Sequence, residues 1–174
     1  MIRIARPDGW LLINHRDHAR LAGEFAARWD NPDFAPPEPR AEILTAVARH
    51  DDAWAEHDAA PVLTPEGRPS AFSRDLVGAY RAFEEIDFEA YLRVRARATE
   101  AVAVDNPYAA IIVSMHTVNL LTEQADLTIL TQPQQALHAE FIATQRERQE
   151  HLAATVTNGD DGGRLGRWAV GEAA

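Results

Sequence analysis

The stretch ARHDDAW, residues 48–54, places a histidine and two aspartates where an apolar helical pattern ends. His50 follows the apolar Val47 by about one helical turn, and Asp51 comes next. Both side chains can therefore face the protein interior. A histidine hydrogen-bonded in the core and an aspartate that caps a turn give the same pattern without any ligand. The stretch thus predicts either half of a metal site or the polar end of a helix.

Two further histidines lie on apolar stripes of other predicted helices. His18 shares its stripe with Leu21, Ala22, Phe25 and Trp29. His116 shares another with Ala109, Ile112, Val113 and Leu120. Buried imidazoles and a buried carboxylate are costly alone, but a divalent metal such as Zn, Fe, Mn or Ni satisfies them together. We therefore predict a metal site whose ligands are His18, His50, Asp51 and His116.

Polar residues near these ligands are candidates for supporting roles. Asp52 is predicted to be catalytic, as a general base. The residues predicted to orient a ligand histidine or to contact a substrate are His15, Asp17, Trp54 and Asp58. Trp54 also fits a purely structural role in the core, and Asp58 fits a solvated acidic loop.

The remaining sequence predicts a mainly α protein with one domain over residues 1–157. Residues 2–13 have the pattern of a β-hairpin that turns at Pro7-Asp8-Gly9. Helical periodicity predicts a bundle of about five or six helices, with segments after Asn14 and over about 39–50, 73–86, 87–104, 107–123 and 133–156. The segment EHDAAPVLTPEGRPSAF, residues 56–72, is rich in Pro and Gly and is predicted to be a long loop. Residues 158–174 are predicted to be a mobile tail, from which Trp168 would dock.

The composition excludes several classes of chemistry. The chain has no cysteine, so disulfides, thiolate metal sites and cysteine nucleophiles are excluded. All 17 basic residues are arginine, which excludes Schiff-base lysines and the phosphate-binding Gly-Lys-Ser/Thr loop. No serine stands in a Gly-x-Ser-x-Gly arrangement, which makes serine nucleophile catalysis a poor fit.

Charge and hydropathy limit the partners. A formal net charge of −10 repels a phosphate backbone, so no nucleic-acid partner is expected. The cluster Arg93, Arg95 and Arg97 is predicted to be a solvated helix face. The chain has neither a long apolar run nor an export signal at its start, so we expect no membrane partner and a cytoplasmic location.

The adjacent His50-Asp51 pair, preceded by a helical His18, resembles the HD superfamily of metal-dependent phosphohydrolases. That resemblance implies an HD-like helical fold in which His18, His50 and Asp51 hold one or two divalent metals. The superfamily also has a later aspartate ligand. This sequence has no clear counterpart, and His116 would take that role.

A wider set of residues resembles a family of short bacterial proteins of unknown function. The shared features are a DHA-containing first helix, an HDDGW motif, a Pro…Gly-x-Pro…Phe loop and a later S-x-H, here SMH at 114–116. The resemblance covers about residues 1–145, and Ala53 stands where that family usually has glycine. It supports the grouping of the candidate residues and implies no activity.

Three functions remain open on the sequence. The first is a metal-dependent hydrolase that acts on a phosphate ester or similar anionic small molecule through a metal-bound water. Its anion would be held by arginines such as Arg16, Arg20, Arg49 or Arg74. The second is a non-catalytic helical interaction domain, which would form a homo-oligomer or bind a partner. The third is an iron-dependent oxygenase on the same scaffold.

Overall fold

The computed structural model of the protein describes residues 2–69 and 87–159. Its strands and helices are β1 (Ile2–Arg6), β2 (Gly9–Ile13), α1 (His15–Ala26), α2 (Arg40–Arg49), α3 (Ala55–Ala59), α4 (Phe88–Ala103), α5 (Pro107–Asn119) and α6 (Gln132–Gly159). The predicted mainly α fold with an N-terminal hairpin is confirmed. The helix predicted over 73–86 lies outside the described residues, as does the tail from 160 onward; residues 158 and 159 belong to α6. Within the described ranges no helix combines the length and the apolar character needed to cross a bilayer.

The hairpin forms as its sequence predicts. β1 and β2 pair antiparallel, with Ile2 opposite Ile13 and Arg6 opposite Gly9. Gly9 has φ +149°, a backbone conformation that L residues with a side chain rarely adopt. The Asp-Gly sequence therefore sets the position of the turn and, through it, the register of the two strands.

Polar side chains define where three of the helices begin. Asn14 accepts a hydrogen bond from the backbone N–H of Asp17 and caps α1. Asp87 caps α4 in the same way, and Asn106 caps α5, whose first residue is Pro107. Each cap satisfies a backbone donor that has no partner inside the helix. The capping residues thus fix the starts of the helices that carry His18 and His116.

The core consists of two clusters along α4, α5 and α6. The first contains large side chains: Trp54, Phe88, Tyr91, Leu92, Val94, Val118, Leu121, Leu130 and Ile142. The second contains mostly small ones: Ala46, Ala98, Val102, Ala109, Ala110, Ile111, Val113 and Leu152. Since Ala46 lies on α2, small side chains let that helix pack closely against the bundle. The end of α2 then leads directly into the half-buried His50 and the buried Asp51.

The prediction for the buried face of α1 is wrong. Leu21, Phe25 and Trp29 are 56%, 66% and 51% exposed, whereas α1 buries Ala19 and Gly23. The cause is the close approach of α2. A Cβ added at Gly23 would lie 2.8 Å from the Cβ of Ala48, so the contact face of α1 has to be made of small residues.

We expect Gly23→Ala to destabilise the protein, although alanine is the better helix former. The added methyl group overlaps Ala48, and overpacking of this kind costs about 1–3 kcal/mol, more than the gain of about 1 kcal/mol from helix propensity. Urea unfolding measures the difference. The control is Gly23→Ala combined with Ala48→Gly, which moves the methyl group to the other helix. The explanation is wrong if Gly23→Ala alone is as stable as the unchanged protein.

The predicted loop over 56–72 begins with regular structure. Ala55–Ala59 form α3, directly after a 3-10 turn over Asp52–Trp54. Gly67, with φ +74°, closes a turn by donating its N–H to the Thr64 carbonyl. The short helix was missed because its sequence, AEHDA, has only five residues and no large apolar side chain, so there is no apolar periodicity to detect. α3 matters for the site because it carries Asp58.

Candidate metal centre

Three of the four predicted ligands converge. His18 lies on α1, His50 is the residue that ends α2, and Asp51 follows it directly. One ligand atom from each of these residues lies within 4.8 Å of the other two. Two imidazole nitrogens and one carboxylate oxygen are a donor set that proteins use for zinc and for non-haem iron. The residues present therefore fit a divalent metal.

The His50 ring is oriented by its backbone contact. Nδ1 lies 2.8 Å from the carbonyl oxygen of Val47. Because a carbonyl only accepts, Nδ1 carries the proton and Nε2 faces Asp51, whose Oδ2 lies 3.3 Å away. Ligand histidines commonly have one nitrogen held in this way by a backbone carbonyl. The arrangement leaves Nε2 as the nitrogen available to a metal.

The charge of Asp51 controls the protonation of His50. Burial alone would lower the pKa of His50, but the hydrogen bond to Asp51, its negative charge and the Val47 carbonyl together raise that pKa above its ordinary value. A divalent cation between the two side chains would take the place of the proton that Asp51 stabilises there. Metal binding at this position is thus expected to release a proton.

Asp51 forms a buried ion pair with Arg95 of α4. NH1 of Arg95 donates to Oδ1 of Asp51 at 2.7 Å, and Arg95 is 1% exposed. Burial raises the pKa of Asp51, but the Arg95 charge and the contact with His50 outweigh burial and hold that pKa well below its ordinary value. Asp51 is therefore an anion at any pH near neutrality.

The prediction that Arg93, Arg95 and Arg97 form a solvated face is wrong for Arg95. Arg93 and Arg97 are exposed, whereas Arg95 is buried and contacts Trp54 and Tyr91 of the first cluster. The physical reason is the buried anion Asp51, which needs a partner. The spacing contained a usable signal: Arg95 lies four residues after Tyr91 and three before Ala98, both of which are buried. Its Nε donates to the Tyr91 hydroxyl at 3.3 Å.

His116, the fourth predicted ligand, lies beside the group of three. Its ring centroid is 5.0 Å from that of His50, which is itself 5.8 Å from that of His18. Burial, followed by the nearby charges of Arg95 and His50, lowers the pKa of His116 to about 4. His116 is therefore neutral near pH 7 and keeps a lone pair. The structure brings it to the edge of the site but not into the set of mutually close ligand atoms.

The structure does not bring Asp52 and Asp17 into this group. Asp52, the predicted base, lies 3.2 Å from Nε of Arg49 and 3.8 Å from Nε of Arg16. Asp17 is exposed and lies 3.7 Å from NH1 of Arg20. Both carboxylates thus pair with arginines on the flank of the site.

His15, Trp54 and Asp58 form a second cluster beneath the site. Trp54 is buried and stacks on His15, with ring centroids 4.8 Å apart. Asp58 accepts the backbone N–H of His15 at 2.6 Å and contacts its Nδ1 at 3.1 Å. Trp54 also lies 5.6 Å from the Arg95 guanidinium. The three residues therefore connect the start of α1 to the Asp51–Arg95 pair through packed rings.

We expect the His15–Asp58 pair to make stability depend on pH. Burial raises the pKa of Asp58, but the hydrogen bonds from His15 outweigh it and lower the pKa to about 2, from 3.8. The unfolded chain therefore binds the proton more readily, so this stabilisation is complete above about pH 5 and is lost as the pH falls toward 2. Burial also lowers the pKa of His15. The unfolded chain therefore binds this proton more readily as well, and stability again decreases as the pH falls.

Urea unfolding of the unchanged protein and of Asp58→Asn tests this dependence. Between about pH 5 and pH 3 the unchanged protein is expected to lose about 1 kcal/mol more than the variant. The asparagine keeps an acceptor for the His15 N–H and removes only the charge, so it is a matched control. Equal losses in the two proteins would contradict the assignment.

A surface groove lies beside α1 and α3. Its volume is about 670 Å³, and it is lined by Asn14, Arg16, Asp17, Arg20, Ala55, Asp58 and Ala59. It contains Arg16 and Arg20, two of the predicted anion-holding arginines. Arg49 instead pairs with Asp52 and Asp105, and Arg74 lies outside the described residues.

Comparison with known proteins identifies the chain at the level of its family. The model of DUF3891, a family described as proteins of unknown function, matches residues 1–164. Searches of curated proteins and of solved structures give no significant match. The prediction of a family of unknown function is thereby confirmed over residues 1–164. The motif from HDDGW to S-x-H and the resemblance to the HD superfamily stay predictions. The chain, with its clustered His18, His50 and Asp51, belongs to the DUF3891 family.

Proposed function

We propose that the protein is a metal-dependent hydrolase that acts on a phosphate ester or a similar anionic small molecule. One observation carries the proposal: ligand atoms of His18, His50 and Asp51, from separate parts of the chain, lie within 4.8 Å of one another. Two imidazole nitrogens and a carboxylate oxygen at this spacing are a donor set suited to a divalent metal. The contact of Nδ1 with the Val47 carbonyl orients the His50 ring so that Nε2 is available to a metal, which supports the proposal.

Each residue has a role in this proposal. His18, His50 and Asp51 would hold the metal, and His116 would complete the ligand set from α5. When bound, a divalent metal makes water acidic enough to supply a nucleophile near neutral pH. Asp52 would accept a proton, and one of its carboxylate oxygens lies 3.2 Å from Nε of Arg49 at the flank of the site.

The groove beside α1 supports an anionic substrate. Arg16 and Arg20 line the groove together with Asp17 and Asp58, and both arginines are largely exposed. Their contacts with Asp52 and Asp17 are 3.8 Å and 3.7 Å long, so little is lost when either guanidinium turns to a ligand. These residues would give an otherwise acidic protein local affinity for an anion.

The proposal includes a relationship to the HD superfamily. It rests on the adjacent His50 and Asp51 and on a helical His18, arranged in a mainly α fold. The cysteine-free sequence is compatible with the cytoplasmic location proposed with it.

The test is hydrolysis by metal-reloaded protein. The protein is stripped with a chelator, reloaded separately with Mn, Zn, Fe or Co, and assayed without oxygen on a panel of phosphate mono- and diesters. Phosphate or alcohol release that needs the metal and is lost in His18→Gln supports the proposal. The matched control is His138→Gln, which changes a histidine on α6 outside the ligand group. A metal-loaded protein that turns over none of the esters counts against hydrolysis.

A second candidate is an iron-dependent oxygenase, which the donor set favours. Two histidines and one carboxylate are the ligand set of many non-haem iron oxygenases. Oxygen consumption by the iron-loaded protein, with no hydrolysis by the manganese-loaded protein, would select this function.

A third candidate is a non-catalytic interaction domain or homo-oligomer, favoured by the exposed apolar side chains of α1. Leu21 and Phe25 point to solvent on the helix that carries His18. Under this candidate, chelation leaves the melting temperature unchanged. A metal that binds only the folded state would raise that temperature, and a chelator would then lower it.

A further inference from the structure

Asp51 meets two different partners with its two oxygens. Oδ1 accepts from NH1 of Arg95 at 2.7 Å, whereas Oδ2 faces Nε2 of His50 at 3.3 Å. Arg95 is itself held by the hydroxyl of Tyr91 and lies over the Trp54 ring. The arginine thus holds Oδ1, and Oδ2 is the oxygen that faces His50.

The Asp51–Arg95 ion pair reduces the negative charge available to a metal at this position. In the parts of the chain that the structure describes, Asp51 is the acidic member of the ligand group. Its charge is already shared with a guanidinium at ion-pair distance, and the other ligands are histidines. Counted over the described residues, a divalent cation placed beside them would leave net positive charge next to the buried Asp51–Arg95 pair. Uncompensated charge in such surroundings is expensive.

We infer that the site binds its metal together with an oxyanion, such as a phosphoryl group, and that Arg95 is the positioning residue that makes metal binding depend on the anion. The inference rests on the proposed metal site and adds the class of ligand that completes it. The oxyanion supplies the negative charge that Asp51 shares with Arg95. Metal and anion then raise each other's affinity, as linkage requires.

Cobalt binding to the full chain tests the inference without an activity assay. Co²⁺ is titrated into metal-free protein and followed by its visible absorption bands. One titration contains dilute inorganic phosphate, and the other contains chloride at the same ionic strength. We expect phosphate to raise the Co²⁺ affinity by at least about tenfold, within the range of ordinary coupling between sites.

Two variants test the role of Arg95. In Arg95→Met the Asp51 charge is released to the metal, so Co²⁺ is expected to bind more tightly without phosphate and to gain less from it. Arg95→Lys keeps the charge and is expected to keep the dependence on phosphate. If the methionine variant does not fold, the comparison of phosphate with chloride in the unchanged protein still decides.

The other outcomes separate the two proposals. Equal Co²⁺ affinity in phosphate and chloride overturns the inference and leaves the metal site standing. A phosphate effect that is the same in Arg95→Met overturns the role of Arg95, because the anion then acts elsewhere, for example at Arg16 and Arg20. No Co²⁺ binding in either solution overturns both the inference and the proposed function.

Discussion

His50→Ala is expected to weaken divalent-metal binding by more than about a hundredfold, since removing a ligand costs more than removing a group that only orients one. His50 contributes the Nε2 that faces Asp51, and it stands between His18 and His116. Hydrolysis that depends on the metal should be lost with it.

The matched control is His151→Ala, which removes an exposed histidine from α6. Metal affinity is measured by competition with a chelator, and folding is checked by circular dichroism. If His50→Ala binds metal as tightly as His151→Ala, the ligand assignment is wrong. The same conclusion holds if turnover survives in His50→Ala.

Arg95→Met is expected to destabilise the metal-free protein by about 3–5 kcal/mol, because breaking a buried ion pair leaves its partner charged and uncompensated. The partner is Asp51, which accepts from Arg95 at 2.7 Å. The variant also loses the packing of the guanidinium against Trp54 and Tyr91. Urea unfolding without metal gives the difference.

Two comparisons isolate the buried charge. Arg93→Met removes an exposed arginine from the same helix, together with its surface contact to Glu89, and should cost no more than about 0.5 kcal/mol. Adding Asp51→Asn to Arg95→Met removes the uncompensated anion and should recover much of the lost stability. A double variant as unstable as Arg95→Met alone would mean that packing, not charge, explains the loss.

Local signals in the sequence predict most of the fold. Asp-Gly at the hairpin turn, Asn106-Pro107 at the start of α5 and the apolar periodicity of α4 each act within a few residues. The sequence also predicts His50 and Asp51 together, since they are adjacent where an apolar helical pattern ends. The reason given for His18 is wrong, because the stripe that it shares with Leu21 and Phe25 is exposed, although His18 does lie beside His50. The apolar stripe of α5 predicts that His116 faces the same site, and its ring lies 5.0 Å from that of His50.

Two features depend on the partner surface, and local periodicity alone does not decide them. α1 has one stripe of large apolar residues and another of small ones, and only the close approach of Ala48 to Gly23 selects the small one. Arg95 is charged, and a charge is expected at the surface unless its buried counterion is known. Asp51, distant in sequence, is that counterion. Packing distance and long-range charge pairing are not encoded in local periodicity.

The central claim is that His18, His50 and Asp51 form a metal site, and metal content tests it most directly. The protein is purified without a histidine tag, alongside a His50→Ala, Asp51→Ala double variant, and both are measured by elemental mass spectrometry before and after reloading. We expect near-stoichiometric divalent metal in the unchanged protein and almost none in the variant. Absence of metal from both proteins after reloading, or equal metal in both, would contradict the claim.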